Sequence, residues 1–252
     1  YEVCARLKAQ DKTHNIPVIF ITALDAEESE AKGLDLGAVD YIAKPFIPSL
    51  VKARIRSHIE LKRHRDRLEE LITERTRQLE LTREVVMESL GTLAEYRDEE
   101  TGKHIKRTKQ YMLVLAERLR THPRFADYLT DKTIELIYKS CSLHDIGKVG
   151  VPDSILRKPG RLTPEEFEEM KKHTTYGYNA LNRSAEKLGD ASFLTSAKEI
   201  AYTHHEQWDG SGYPRGLRGS EIPIPGRLMA VADSYDAIIS PRLYKPAISH
   251  KE

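Results

Sequence analysis

The stretch "SLVKARIRSHIELKRHRDRLEELITERTRQLELTREVVMESLGTL", residues 49–93, divides the chain and so decides its fold. It holds no proline, and no glycine before Gly91. Ile72, Leu79, Val86 and Leu93 recur every seven positions within a charge-laced background. That spacing predicts one long helix, read as a parallel coiled coil or signalling helix. Polar Arg75, Thr82 and Ser89 fill the intervening seam positions. A single amphipathic helix packed on its own chain is therefore the alternative. Acids and bases are interspersed, which describes a solvated face rather than a nucleic-acid patch.

Upstream, strand and helix signals alternate. "IPVIFITAL" (16–24) is a short β-branched apolar run, predicted as a strand buried on both faces. "AEESEAKGLDLGA" (26–38) reads as a helix that ends on glycine, and "VDYIAKPF" (39–46) as a second buried strand. Strand, helix, strand at this spacing predicts a parallel α/β sheet. Downstream, residues 96–252 read as helices with punctuated loops and no strand alternation. In "KPGRLTPEEFEEMKKHT", Thr163, Pro164 and Glu166 predict a helix start with a capping box. The fold class is mainly α: a partial α/β region over 1–52, a helical linker over 53–95, and a helical domain over 96–252.

Composition bounds the function. Of 252 residues, 39% are apolar and 31% charged, with a net charge of +1, so no polyanion-binding character follows from the total. No apolar run approaches the ~18 residues of a membrane span, and no signal peptide is read at the start. The two cysteines, Cys4 and Cys141, lie far apart, which predicts a reduced, cytoplasmic setting. Cys141 itself reads as part of a buried helix.

Histidines and carboxylates cluster by context in the last region. "EETGKHIKR" sets Glu100 and His104 four apart, a chelating pair if helical. "SLHDIGKVGVPDSIL" supplies His144, Asp145 and Lys148 directly after an apolar segment, where burial is costly without a ligand. "MKKHTTYG" supplies His173, "THHEQWDGSGYPRG" supplies His204 and His205, and "MAVADSYDAI" supplies Asp233 amid apolar neighbours. Adjacent helical side chains diverge by about 100°. His204 and His205 are thus expected to serve two metals, or to act as one ligand and one structural donor. Imidazoles and carboxylates without thiolate suit iron, manganese, nickel or zinc.

These segments resemble the HD-GYP family. The resemblance rests on "ETGKH", "HDIGKVGVPDSIL", "KPGRLT", "MKKHTTYG", "HHEQWDGSGYPRGL", "AVADSYDAI" and "RLYK", in order over residues 97–248. The parent HD superfamily shares only the first His, the His-Asp pair and the last Asp. Gly212, Tyr213 and Pro214 with the doubled histidine mark the subgroup. The resemblance implies a cytoplasmic bacterial signalling enzyme that hydrolyses cyclic di-GMP to pGpG and often GMP. It implies two or three divalent transition metals, iron or manganese foremost. The implied ligands are Glu100, His104, His144, Asp145, His173, His204, His205 and Asp233, with Asp145 bridging and Glu100 serving a third metal. Lys148 would sit beside the scissile phosphate, and Tyr213, Arg242 and Lys245 would contact substrate. Two cations about 3.5–4 Å apart can clamp a phosphodiester and share a bridging hydroxide. The GYP loop would close the site wall, and the family's docking of GGDEF-type cyclase domains through that loop is a further implied partner.

The front end resembles the second half of a response-regulator receiver domain. Thr22 matches its hydroxyl, Tyr41 its switch aromatic and Lys44 its phosphate-sensing lysine, and a cis Lys44–Pro45 bond is implied. The phosphoacceptor aspartate would lie about nine residues before Tyr1. A cognate sensor histidine kinase and a homodimer through the linker are implied partners, with no nucleic acid. Two alternatives stand beside this: a non-catalytic module that binds cyclic dinucleotide or protein, and a hydrolase of another cyclic dinucleotide.

Overall fold

A computed structural model of the chain describes residues 1–23, 27–96, 103–188 and 193–240. The chain divides into two units, Tyr1–Glu80 and Leu81–Glu252.

The first unit comprises α1 (Glu2–Lys8), β1 (Ile19–Ala23), α2 (Glu27–Asp35), β2 (Asp40–Lys44) and the start of α3 (Pro48–Tyr96). β1 and β2 pair in parallel, with Ile19 opposite Asp40 and Ala23 opposite Lys44. The register seats Thr22 against Ala43. Buried Cys4, Ala38 and Ile42 form the small core of this unit. β1 is not covered on both faces as its apolar run suggested, since Ile21 is 54% exposed. Among the described residues β2 is its only ladder partner, so a two-stranded sheet leaves part of β1 without a neighbour. Asp40 ties β2 to α3, meeting Arg54 at 2.8 Å and His58 at 3.1 Å. Burial works against that carboxylate's charge, but His58, the Tyr41 N–H and Arg54 outweigh it and lower its pKa. The Lys44–Pro45 bond is cis, as is Tyr213–Pro214.

α3 runs unbroken for 49 residues. The seven-residue stripe of Ile72, Leu79, Val86 and Leu93 is exposed throughout. A different stripe faces the second unit's core: Met87, Gly91, Ala94 and Glu95, spaced as one face of a helix. An added Cβ at Gly91 would collide with the Ser142 carbonyl oxygen, so glycine sets how closely α3 lies on that segment.

The second unit adds α4 (His104–Leu119), α5 (Asp131–Ser140), α6 (Asp153–Leu156), α7 (Pro164–Leu188), α8 (Phe193–Thr203) and α9 (Ile224–Ile239). Met112, Ile134, Ile137, Ile200, Met229 and Ala232 knit α4, α5, α8 and α9 into one apolar core. A second cluster joins Met87 of α3 to Leu181 of α7 and Ala197 of α8. The capping box at α7 forms as its sequence predicts, with Glu166 accepting from Thr163 N–H at 2.7 Å. Cys141 is buried, but α5 has stopped at Ser140, and a 3₁₀ turn covers Cys141–Leu143. In this unit, an isolated bridge between Asp209 and Arg218 is the only strand-like pairing among the described residues. Among them, no helix is long and apolar enough to cross a membrane.

Candidate metal centre

The site forms where helices end. His144 and Asp145 lie between two 3₁₀ turns, Cys141–Leu143 and Ile146–Gly150. This break turns two consecutive side chains towards different groups. Gly147 seats the second turn against α7, because an added Cβ there would collide with the His173 carbonyl oxygen and the Gly177 N–H. Asp145 is thereby carried to His173, with Oδ1 3.3 Å from its Nε2.

Each of four imidazoles is held by its Nδ1. His144 Nδ1 meets the Cys141 carbonyl at 3.0 Å, and His173 Nδ1 meets the Met170 carbonyl at 2.8 Å. His204 Nδ1 lies 3.1 Å from both the Ile200 and Ala201 carbonyls. These anchors sit three or four residues back along the chain, so a local turn supplies them. His104 is different: its Nδ1 meets Asp236 Oδ2 of α9 at 2.8 Å, and Arg107 grips the same carboxylate at 2.6 and 2.8 Å. A ring that donates through Nδ1 presents a lone pair at Nε2, the arrangement that a metal ligand requires.

The Nε2 atoms and carboxylates converge in two groups. One joins Asp145, His173, His204 and His205; the other joins His104, His144 and Asp233, with donor atoms in each within 4.8 Å of one another. Asp145 stands between them. Its Oδ1 lies 3.5 Å from His204 Nε2, while Oδ2 lies 3.3 Å from His144 Nε2 and 2.9 Å from Lys148 Nζ. Asp233 Oδ1 lies 3.5 Å from His104 Nε2. His144 Nε2 and Asp145 Oδ1 are buried without a hydrogen-bond partner, which is costly for protein alone and fits a pair of metal-binding atoms.

Of the expected ligands, the structure thus brings His104, His144, Asp145, His173, His204, His205 and Asp233 together. Glu100 lies outside the described residues, as do Arg242 and Lys245. His204 and His205 fall in the same group. α8 ends at Thr203, and the two rings that follow it lie 4.1 Å apart. Tyr213 stacks on His205 at 4.7 Å and makes an edge contact with Phe167 at 6.1 Å. The GYP loop is fastened from below by buried Glu206, which accepts from the Arg215 and Leu217 N–H groups at 2.8 and 2.9 Å.

Sequence reasoning missed Glu95, Asp236, Arg107 and Glu206. Asp236 had a signal: it follows Asp233 by three residues on one helix, and Arg107 follows His104 by three. Glu95 had none, being one acid among many on α3. It is 1% exposed, and its Oε1 lies 3.9 Å from His104 Nε2.

The electrostatics of the two groups oppose one another. Burial works against charge on His144, but Asp145, Asp233 and Glu95 outweigh it and push that imidazole up to about 9. Burial pushes His173 down to about 4, with Asp145 opposing. Burial and then the neighbouring His204 and His173 drive His205 further down still. Asp145 is held well below the usual carboxylate range despite burial, because Lys148 and His144 face it.

Comparison with known proteins bears on this geometry. The family described as HD domain matches residues 88–252, and the response regulator receiver domain family matches residues 1–56.

The chain belongs to the HD domain family.

This HD domain chain is 47% identical over its whole length to a probable cyclic di-GMP phosphodiesterase of Vibrio cholerae, covering 59% of that protein. It is 41% identical over 97% of its length to a cyclic di-GMP phosphodiesterase of Thermotoga maritima, covering 66% of it. Over 66% of its length it is 44% identical to a 3′3′-cGAMP-specific phosphodiesterase of Vibrio cholerae, covering 29% of it. The chain therefore spans less than two thirds of these relatives. Its clustered histidines and aspartates are the donor set expected of an HD domain that takes divalent metal, and their spacing fits two such ions.

Proposed function

We propose that this protein is a metal-dependent phosphodiesterase that hydrolyses cyclic di-GMP to pGpG or GMP, as the output of a response regulator. The observation that carries the reading is Asp145, a buried carboxylate with one oxygen towards each of two donor groups. The two groups would hold two divalent ions, iron or manganese foremost. Those ions would supply Lewis-acid stabilisation of a phosphodiester and lower the pKa of an attacking water. The chain's own residues do the rest. Asp145 orients both groups at once, and its ion pair with Lys148 keeps an ammonium at the edge of the site, where phosphate charge would grow. The backbone carbonyls at the Nδ1 atoms of His144, His173 and His204 orient each ring with Nε2 towards the donor groups. Water adds to phosphorus, the P–O3′ bond breaks, and the proton ends on the 3′ oxygen.

Glu100 is placed here as a ligand for a third ion, and Tyr213, Arg242 and Lys245 as substrate contacts. Residues 1–52 are assigned as the second half of a receiver domain with Thr22, Tyr41 and Lys44 as its switch set, 53–95 as the linker and 96–252 as the catalytic domain. A sensor histidine kinase is the partner this implies, in the cytoplasm. The exposed Ile72, Leu79, Val86 and Leu93 stripe supports a homodimer along the linker. The GYP loop is assigned as a dock for GGDEF-type cyclase domains.

The likeness to a 3′3′-cGAMP-specific phosphodiesterase favours a second reading, hydrolysis of another cyclic dinucleotide. Manganese-loaded protein should convert cyclic di-GMP to a linear product, resolved by chromatography, faster than it converts 3′3′-cGAMP. The opposite ranking would move the substrate to the second reading. Turnover that survives complete chelation would remove the metal mechanism. Binding without cleavage at full metal content would leave a sensor.

A further inference from the structure

Glu95 is an acid to which no motif gives a role. It is the last residue but one of α3, and the one charged residue among the four buried on that helix. Its side chain is 1% exposed, which sets it apart from the exposed acids Glu69, Glu70 and Glu74 on the same helix. Helical geometry explains how it arrives. Gly91 and Glu95 are one turn apart on one face. Gly91 lies against the carbonyl of Ser142, two residues before His144, so the next turn of α3 delivers Glu95 to the edge of the His104, His144 and Asp233 group. Its Oε1 is 3.9 Å from His104 Nε2, and its charge reaches His144 as well.

We propose that Glu95 is a carboxylate donor to the ion held by His104, His144 and Asp233. This rests on the two-ion reading above. Two atoms that bind one ion at about 2.0–2.2 Å lie at most about 4.4 Å apart. The 3.9 Å between Glu95 and His104 and the 3.5 Å between Asp233 and His104 both satisfy that bound. Charge points the same way. Two divalent ions bring four positive charges into a buried site, and Asp145 and Asp233 return two. Glu95 supplies a third negative charge, leaving the small excess that a phosphodiester anion would neutralise. The cost of burying a carboxylate is offset when a cation stands next to it.

The test is metal binding rather than turnover. Full-length apo-protein, stripped by chelation, is titrated with Mn²⁺ by calorimetry, and loaded protein is checked by elemental analysis. Glu95→Gln keeps the shape of the side chain and should weaken one ion by about 10–100-fold while leaving the other unchanged. Glu95→Asp should recover part of the loss. If Glu95→Gln binds both ions as tightly as the parent and only melts earlier, Glu95 is a structural ion-pair partner and the inference fails. Should Glu95→Gln not fold, Glu95→Ala is titrated in its place, and unaltered affinities there would equally overturn the inference. A parent protein that binds fewer than two ions would overturn the two-ion reading itself, a result distinct from either.

Discussion

The two donor groups share Asp145 and otherwise differ in chemistry. The group with His173, His204 and His205 is rich in imidazole. Its anchored rings, His173 and His204, are held by carbonyls a single turn away. The group with His104, His144 and Asp233 has more negative charge around it, and one of its rings is anchored through Asp236, a residue 132 positions distant. The consequence appears in protonation. Burial keeps His173 neutral, with its pKa down to about 4, whereas the surrounding carboxylates hold a proton on His144 up to about 9. At neutral pH His173 offers a lone pair already, whereas an ion at His144 would have to displace a proton. Two neighbouring ions held there would be bound by different rules.

Asp145→Ala removes what the groups share, and should produce the largest effect. Turnover should fall about 10³-fold or more, read from the rate of linear dinucleotide formation. Activity within tenfold of the parent would mean that the groups work separately. A smaller effect separates them by pH. Affinity for the ion at His144 should rise about tenfold per pH unit between pH 6 and 8, as its proton becomes easier to displace. Affinity at the imidazole-rich group should rise less steeply in that window. Calorimetric titrations at three pH values decide this, and parallel slopes would erase the distinction.

Asp236→Asn should then weaken one ion only, by about 10–100-fold, because His104 is the one expected ligand held by that carboxylate. Equal losses at both ions, measured by the same titration, would show that the anchor is not specific. The smallest effect is on the apo-protein's stability. The raised His144 pKa contributes stability that is present below about pH 6.5 and lost as pH rises through about 9. The depressed His173 pKa works the other way, with stability lost as pH falls from about 6.5 towards 4. The melting temperature of the chelated protein should peak near pH 6.5, changing by about 2–4 °C per kcal/mol. A flat profile across pH 5–9 would contradict both assignments.

Much of the centre was legible beforehand because its ligands sit in short motifs. His144 with Asp145, and His204 with His205, are adjacent in the chain, and a local turn supplies the Nδ1 anchors of His144, His173 and His204. The capping box of α7 was legible for the same reason. Asp236, Arg107 and Glu95 were not read, because their partners are set by how α3, α4 and α9 pack. Covering β1 on both faces failed because an apolar run records what a strand would bury, not which neighbours this chain brings to it.

The sequence by itself determined the long helix, the helical class of the second unit and the seven side chains that the structure gathers into two clusters. Periodicity, caps and side-chain chemistry are properties of short segments, so they can be read without knowing the fold. Only the tertiary structure decided that the donors form two groups around one carboxylate, that Asp236 holds His104, and that Glu95 faces the more acidic group. The grouping around Asp145 and the placement of Glu95 depend on close approaches at Gly147 and Gly91, where the absence of a single carbon lets two segments touch.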